Sequence, residues 1–285
     1  MGSRRFKIIN SSIEKTTIIK IRQCIVESVG IRRFLKSMVK FESGYKQAAI
    51  IEYNRAIIFH PELVPAYVNR GITKYGLRQY QEAMADYDRA IIINPNYLMA
   101  YFYRGMLKSE LGQKQSAIID YDRVILINPY FQSRVYFYRG IAKYDLGQYQ
   151  EAIIDYDFAI KLNANNANFY INRGIAKYDL GQYQEAIADY SRAIAIDPDA
   201  TSYNNRGLAK AELGKKQSAM NDFNRAIKID PSFTQAYINR GKLKSSLGQK
   251  QAGIEDITRA AELFHHHQQM DLYESAIRLI WQIRG

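Results

Sequence analysis

Along each of several stretches of about 34 residues, a polar-aromatic helix face and an apolar helix face recur in fixed register. Tyr67, Tyr101, Tyr136, Tyr170, Tyr203 and Tyr237 each stand four residues before a glycine, and the glycines Gly71, Gly105, Gly140, Gly174, Gly207 and Gly241 lie 34, 35, 34, 33 and 34 residues apart. An arginine precedes each glycine, and Lys74, Lys108, Lys143, Lys177, Lys210 and Lys244 follow by three. Steps of three and four put these side chains on one face of a helix. Fifteen residues beyond each glycine comes Asp86, Asp120, Asp155, Asp189, Asp222 or Asp256, with Glu52 at the equivalent place in the first stretch. The pattern predicts tandem helix hairpins whose first helix ends at a residue such as Gly112, Gly147, Gly181, Gly214 or Gly248, able to take the left-handed cap. A period of this length points to a helical solenoid.

The best-kept stretch reads Tyr170-Ile171-Asn172-Arg173-Gly174-Ile175-Ala176-Lys177-Tyr178-Asp179-Leu180-Gly181-Gln182-Tyr183-Gln184-Glu185-Ala186. It resembles the tetratricopeptide repeat family. The resemblance covers seven units, 30–63, 64–97, 98–132, 133–166, 167–199, 200–233 and 234–267, with a basic segment 1–29 before them and a helix-like segment 268–285 after. It implies an all-α, right-handed superhelical solenoid of antiparallel helix pairs with a capping helix at each end. Some positions depart from the pattern: Ser37 replaces the helix glycine of the first unit, Arg78 the turn glycine of the second, and Ala164 and His265 the prolines that end other units. A glycine inside a helix costs about 1 kcal/mol against alanine, so close helix approach must offset it. Ala83, Ala117, Ala152, Ala186 and Ala219 are the expected small counterparts.

Charge changes the picture at one end. The net charge is +12, yet residues 1–40 carry ten Lys or Arg against Glu14 and Glu27, leaving only +4 for the rest. Residues 1–29 read either as a cap, with a helix start at Ser11-Ser12-Ile13-Glu14, or as a basic element for RNA or an anionic membrane, and the sequence leaves both open. The in-register arginines likewise read as a phosphate-binding ladder or, more economically, as partners of the in-register carboxylates. With one cysteine, Cys24, no disulfide framework forms, and no apolar run reaches the roughly 18 residues of a membrane span. The expected location is the cytoplasm.

No nucleophile, acid-base pair, metal site or cofactor motif stands out; His265-His266-His267 are consecutive and point different ways on a helix. A non-catalytic scaffold is therefore expected. By the resemblance, first helices line a concave groove. On their face away from the tyrosines lie Phe34, Met38 and Phe41, then Phe102 and Met106, Phe137, Ile141 and Tyr144, and Ile171, Ile175 and Tyr178, with Glu42, Glu110, Asp145, Asp179 and Glu212 beside them. An apolar floor with an acidic rim suits a partner protein segment carrying apolar and basic residues. Alternative partners are nucleic acid or an anionic membrane through residues 1–40, or a second copy of the chain. The lysine and asparagine set with which some family members grip chaperone C-termini is not matched: Asn69, Asn172, Asn205 and Asn239 stand beside the arginines, but Val68 and Ile72, Ile171 and Ile175, and Ile238 and Lys242 replace the lysine and second asparagine.

Overall fold

The computed structural model describes residues 29–38, 40, 41 and 44–284, and every regular element among them is a helix. The expected helix start at Ser11-Ser12-Ile13-Glu14 and the rim residue Glu42 lie outside the described residues. Helix α1 runs over residues 29–41, residue 39 aside. It is followed by α2 (Lys46–Phe59), α3 (Val64–Tyr75), α4 (Tyr80–Ile93), α5 (Leu98–Glu110) and α6 (Lys114–Ile127), within a compact unit Met1–Phe131. A second unit, Gln132–Gly285, holds α7 (Ser133–Asp145), α8 (Tyr149–Leu162), α9 (Ala167–Asp179), α10 (Tyr183–Ile196), α11 (Ala200–Glu212), α12 (Lys216–Ile229), α13 (Thr234–Ser246), α14 (Lys250–His266) and α15 (Met270–Arg284). Odd-numbered helices are first helices, and each from α3 to α13 packs chiefly on the even-numbered helix that follows it.

Every such hairpin turns at one left-handed residue. Gly112, Gly147, Gly181, Gly214 and Gly248 have φ between +72° and +82°, where a side chain is strained, and Arg78 takes the same place at +61°. At Gly112 the chain closes its last turn with Gly112 N–H donating to Ser109 O at 3.2 Å and Gln113 N–H to Lys108 O at 2.8 Å.

Inside the first helices, Gly71, Gly105, Gly140, Gly174 and Gly207 meet rings rather than the expected alanines, and Gly241 meets Gly253 O and Ile257. A Cβ on Gly105 would lie 2.8 Å from Cε1 of Tyr121, and one on Gly174 2.7 Å from Cε1 of Tyr190; Gly71, Gly140 and Gly207 face Tyr87, Tyr156 and Phe223 in the same way. The alanines Ala83, Ala117, Ala152, Ala186 and Ala219 are fully buried, but they are not what the glycine accommodates. The energetic comparison is decisive: a buried ring removes about 150–250 Å² from water at about 25 cal/mol per Å², several times the glycine penalty. Burial also pushes the Tyr87, Tyr156 and Tyr190 hydroxyls well above their ordinary pKa.

At the far end of the second unit, α15 seats Ala276 and Ile280 against Ile254, Ile257, Ala261 and Phe264 of α14. Its other side stays open, with Trp281 64% exposed.

Candidate binding groove

The in-register charges settle into triads. Arg104 donates from Nε to Asp120 Oδ2 at 2.9 Å and from Nη2 to Oδ1 at 2.6 Å, while Lys108 Nζ lies 2.8 Å from the same carboxylate. The guanidinium also lies over the Tyr101 ring, 5.4 Å from its centroid. Equivalent triads join Arg70 and Lys74 to Asp86, Arg139 and Lys143 to Asp155, Arg173 and Lys177 to Asp189, Arg206 and Lys210 to Asp222, and Arg240 and Lys244 to Asp256. The third guanidinium nitrogen reaches back to the preceding second helix. Arg104 Nη1 donates to Asp88 Oδ1 at 2.6 Å, Arg173 Nη1 to Asp157 Oδ1 at 2.5 Å, and Arg240 Nη1 to Asn224 Oδ1 at 2.7 Å. Burial works against the charges on Arg104 and Arg173, but these hydrogen bonds outweigh it and raise both pKa values. The arginines are thus internal staples between repeats, and the phosphate-ladder reading is set aside.

The groove residues fall into three groups. Phe102 corrects the expectation: it is only 2% exposed, wedged against Tyr103 and Tyr121, and offers no open surface. Met106, Phe137, Ile141, Tyr144, Ile171, Ile175 and Tyr178 are half-buried. Phe137 packs on Phe169 with ring centroids 4.9 Å apart; Ile141 and Tyr144 cover Ala152, Ile153 and Tyr156; Ile175 and Tyr178 cover Ala186, Tyr190 and Ala209. Much of the apolar stripe is therefore packing between neighbouring helices. Glu110, Asp145 and Asp179 are exposed, and Ile171 borders a cavity of about 550 Å³ among Asn163, Asn165, Asn168 and Thr201.

A second ladder, invisible in the spacing, holds the acidic rim. Tyr75 and Tyr80 both donate to Glu110, the latter at 2.8 Å. Tyr144 donates to Asp179 Oδ2 at 2.5 Å, and Tyr178 to Glu212 Oε1 at 3.4 Å. Tyr75, Tyr144 and Tyr178 each link a first helix to the acid on the next first helix, and Tyr80 reaches Glu110 from the start of α4. The hydroxyls hold the Glu110 carboxyl below its ordinary pKa, and burial, helped by Glu212, pushes the Tyr178 hydroxyl up to about 12. These donors are uncharged and so do not offset the carboxylates they hold, whereas an arginine and a lysine stand against each triad aspartate.

Sequence spacing missed the helix ends. On α1, Ile31 is 47% and Leu35 55% exposed. Around Glu52, four cations gather: Arg33 Nη1 and Arg55 Nη1 at 3.0 Å, Lys40 Nζ at 3.7 Å and Lys36 Nζ at 3.8 Å. Burial raises the Glu52 pKa, but the Arg33 hydrogen bond and the fields of Lys36, Arg33 and Arg55 outweigh it and leave it lowered. Among the described residues, no three His, Cys, Asp or Glu side chains group as a metal site, and no helix is long and apolar enough to cross a membrane.

Comparison with known proteins follows the same lines. A family model for TPR repeat matches residues 140–181 and 176–214, and two models for tetratricopeptide repeat match 64–97 and 200–233, and 100–131 and 234–264. No curated protein matches the chain. A solved tetratricopeptide repeat protein from Parabacteroides merdae is 21% identical, covering 90% of this chain and 100% of its own, with a TM-score of 0.64. YrrB, a TPR protein with an unusual peptide-binding site, is 20% identical over 65% of this chain and 95% of its own, with a TM-score of 0.58. MamA is 25% identical over 58% of this chain and 96% of its own, with a TM-score of 0.54.

Proposed function

The chain belongs to the tetratricopeptide repeat family, and from that premise we propose that it is a non-catalytic scaffold holding a segment of a partner protein along its first helices. The observation that carries this reading is the rim of carboxylates held by neutral tyrosine hydroxyls. Buried acids elsewhere are paired with cations in triads, whereas Asp179 and Glu212 are exposed and held by uncharged hydroxyls. Beside them the half-buried Ile141, Ile175 and Leu208 supply an apolar floor. Such a surface favours a segment with apolar and basic side chains, since complementary charge sets register and speeds encounter. That YrrB, similar in fold, has a peptide-binding site agrees with the reading. The test uses the full chain and its Asp145→Lys, Asp179→Lys, Glu212→Lys triple variant as baits, with equal helicity checked by circular dichroism. Partner proteins retained by the wild type and lost from the variant support the groove; identical capture sinks it.

One observation favours a second reading. The four cations on Glu52 leave a local excess of three positive charges in the first repeat, suited to the phosphates of nucleic acid or an anionic membrane. Binding of a labelled oligonucleotide or of phosphatidylserine vesicles should then fall steeply with salt and be lost in Lys36→Glu, Lys40→Glu. Salt-independent binding, or none, removes this reading.

A further inference from the structure

On α9, α11 and α13 of the second unit the exposed charge is single, Asp179, Glu212 and Lys242 in turn, and α15 exposes Arg278 along with Asp271, Glu274 and Arg284. The sign changes between α11 and α13, and of the α15 charges only Arg278 lines the cavity that Lys242 lines. Lys242 occupies the position held by Met106, Ile141, Ile175 and Leu208 in other repeats, and it stands outside the triad of its own repeat, which uses Lys244. Lys242 and Arg278 line a cavity of about 630 Å³ between α13 and α15, with Ile238, Phe264, Leu272 and Leu279 as its apolar wall. That volume lies in the range of ligand-binding clefts. Among the described residues, Arg278 meets an exposed Glu274 at 3.8 Å and donates to Ser275 Oγ at 3.0 Å, contacts that a stronger acceptor displaces at little cost.

We propose that this cavity binds an acidic, apolar stretch of the partner segment, so that the groove reads a bipolar ligand: basic residues along Asp179 and Glu212, then Asp or Glu with a large apolar side chain at Lys242 and Arg278. The inference rests on the groove reading above and extends it. A uniformly basic segment is repelled at α13 and α15, and a uniformly acidic one at α9 and α11. Neighbouring helix axes lie about 8–10 Å apart and an extended chain advances about 3.3 Å per residue, so the ligand's charges should recur about every three residues.

The experiment pans a phage-displayed random 12-residue peptide library against the full chain, against Lys242→Glu, Arg278→Glu, and against Asp179→Lys, Glu212→Lys. All four positions are exposed, so the folds should survive, as circular dichroism checks. The expected result is bipolar peptides on the wild type, loss of the acidic stretch alone on the first variant, and loss of the basic stretch alone on the second. The affinity of a synthesised wild-type winner should drop about tenfold on either variant. Basic peptides indifferent to Lys242→Glu, Arg278→Glu overturn this inference and leave the groove reading standing. No enrichment, or enrichment indifferent to both variants, overturns both. Concentration-dependent dimerisation by light scattering, abolished by Lys242→Glu, assigns the cavity to a second copy of the chain and overturns the partner-segment inference.

Discussion

The first and fifth repeats place the same kind of buried acid at the same position and surround it differently. Asp189 meets one arginine and one lysine, and Arg173 carries its remaining donor back to Asp157, so two positive charges meet two negative ones. Glu52 meets four cations. The difference lies in what the arginine does next: Arg173 carries a second bond to an acid on the preceding second helix, whereas Arg33 shares Glu52 with three further cations. The fifth repeat uses its charge for cohesion, and the first displays an excess.

The sharpest way to break that comparison is to remove each acid. Asp189→Ala leaves a largely buried guanidinium and ammonium without their carboxylate and should cost about 3 kcal/mol or more in urea unfolding. Glu52→Ala removes a carboxylate whose partners reach water and should cost about 1 kcal/mol. Equal losses would erase the distinction between the two repeats. Next in size, Gly174→Ala drives a methyl into Tyr190 and should destabilise by about 2 kcal/mol. Gly181→Ala, at φ +75° with open space around it, should cost about 1 kcal/mol through backbone strain alone. Replacing Tyr190 with leucine should shrink the first penalty and leave the second unchanged.

Titration sharpens the comparison further. Glu52 and Glu110 have pKa values lowered from 4.5 in the folded chain, so the stability they add is present above about that pH and lost as pH falls through their lowered values. Tyr178, raised to about 12 from 10, works at the other end: its contribution is complete below pH 10 and lost as pH rises toward 12. Glu52→Gln and Glu110→Gln should flatten the acid limb of a thermal-melting profile, and Tyr178→Phe the alkaline limb. Unchanged limbs would mean these bonds do not persist in solution. The smallest effect belongs to Arg259→Ala: its pair with Glu262 is exposed on both sides, and the urea-unfolding midpoint should stay where it is.

Much of the fold is legible in the residues. Turn glycines, triad partners and the period are local or fixed-offset features, and a fixed offset along the chain becomes a fixed neighbour when every repeat folds alike. The groove was less legible. Phe102 and Phe137 hold equivalent places in their repeats, yet the first is buried and the second half-buried, because exposure depends on which side chains sit across from them. Spacing likewise named alanines as the glycines' counterparts, where the structure has rings, since direction across a helix pair is set by packing.

By itself, then, the sequence determined the repeat, its helical period, the capping positions and the pairing of each arginine with an acid, because each is encoded by residue type at short or constant separation. Only the tertiary structure decided which carboxylates lie exposed outside the triads, that tyrosine hydroxyls bridge Glu110, Asp179 and Glu212 between repeats, and that Lys242 and Arg278 share a cavity. Those outcomes depend on distances between side chains of different helices, and such distances arise only once the helices pack.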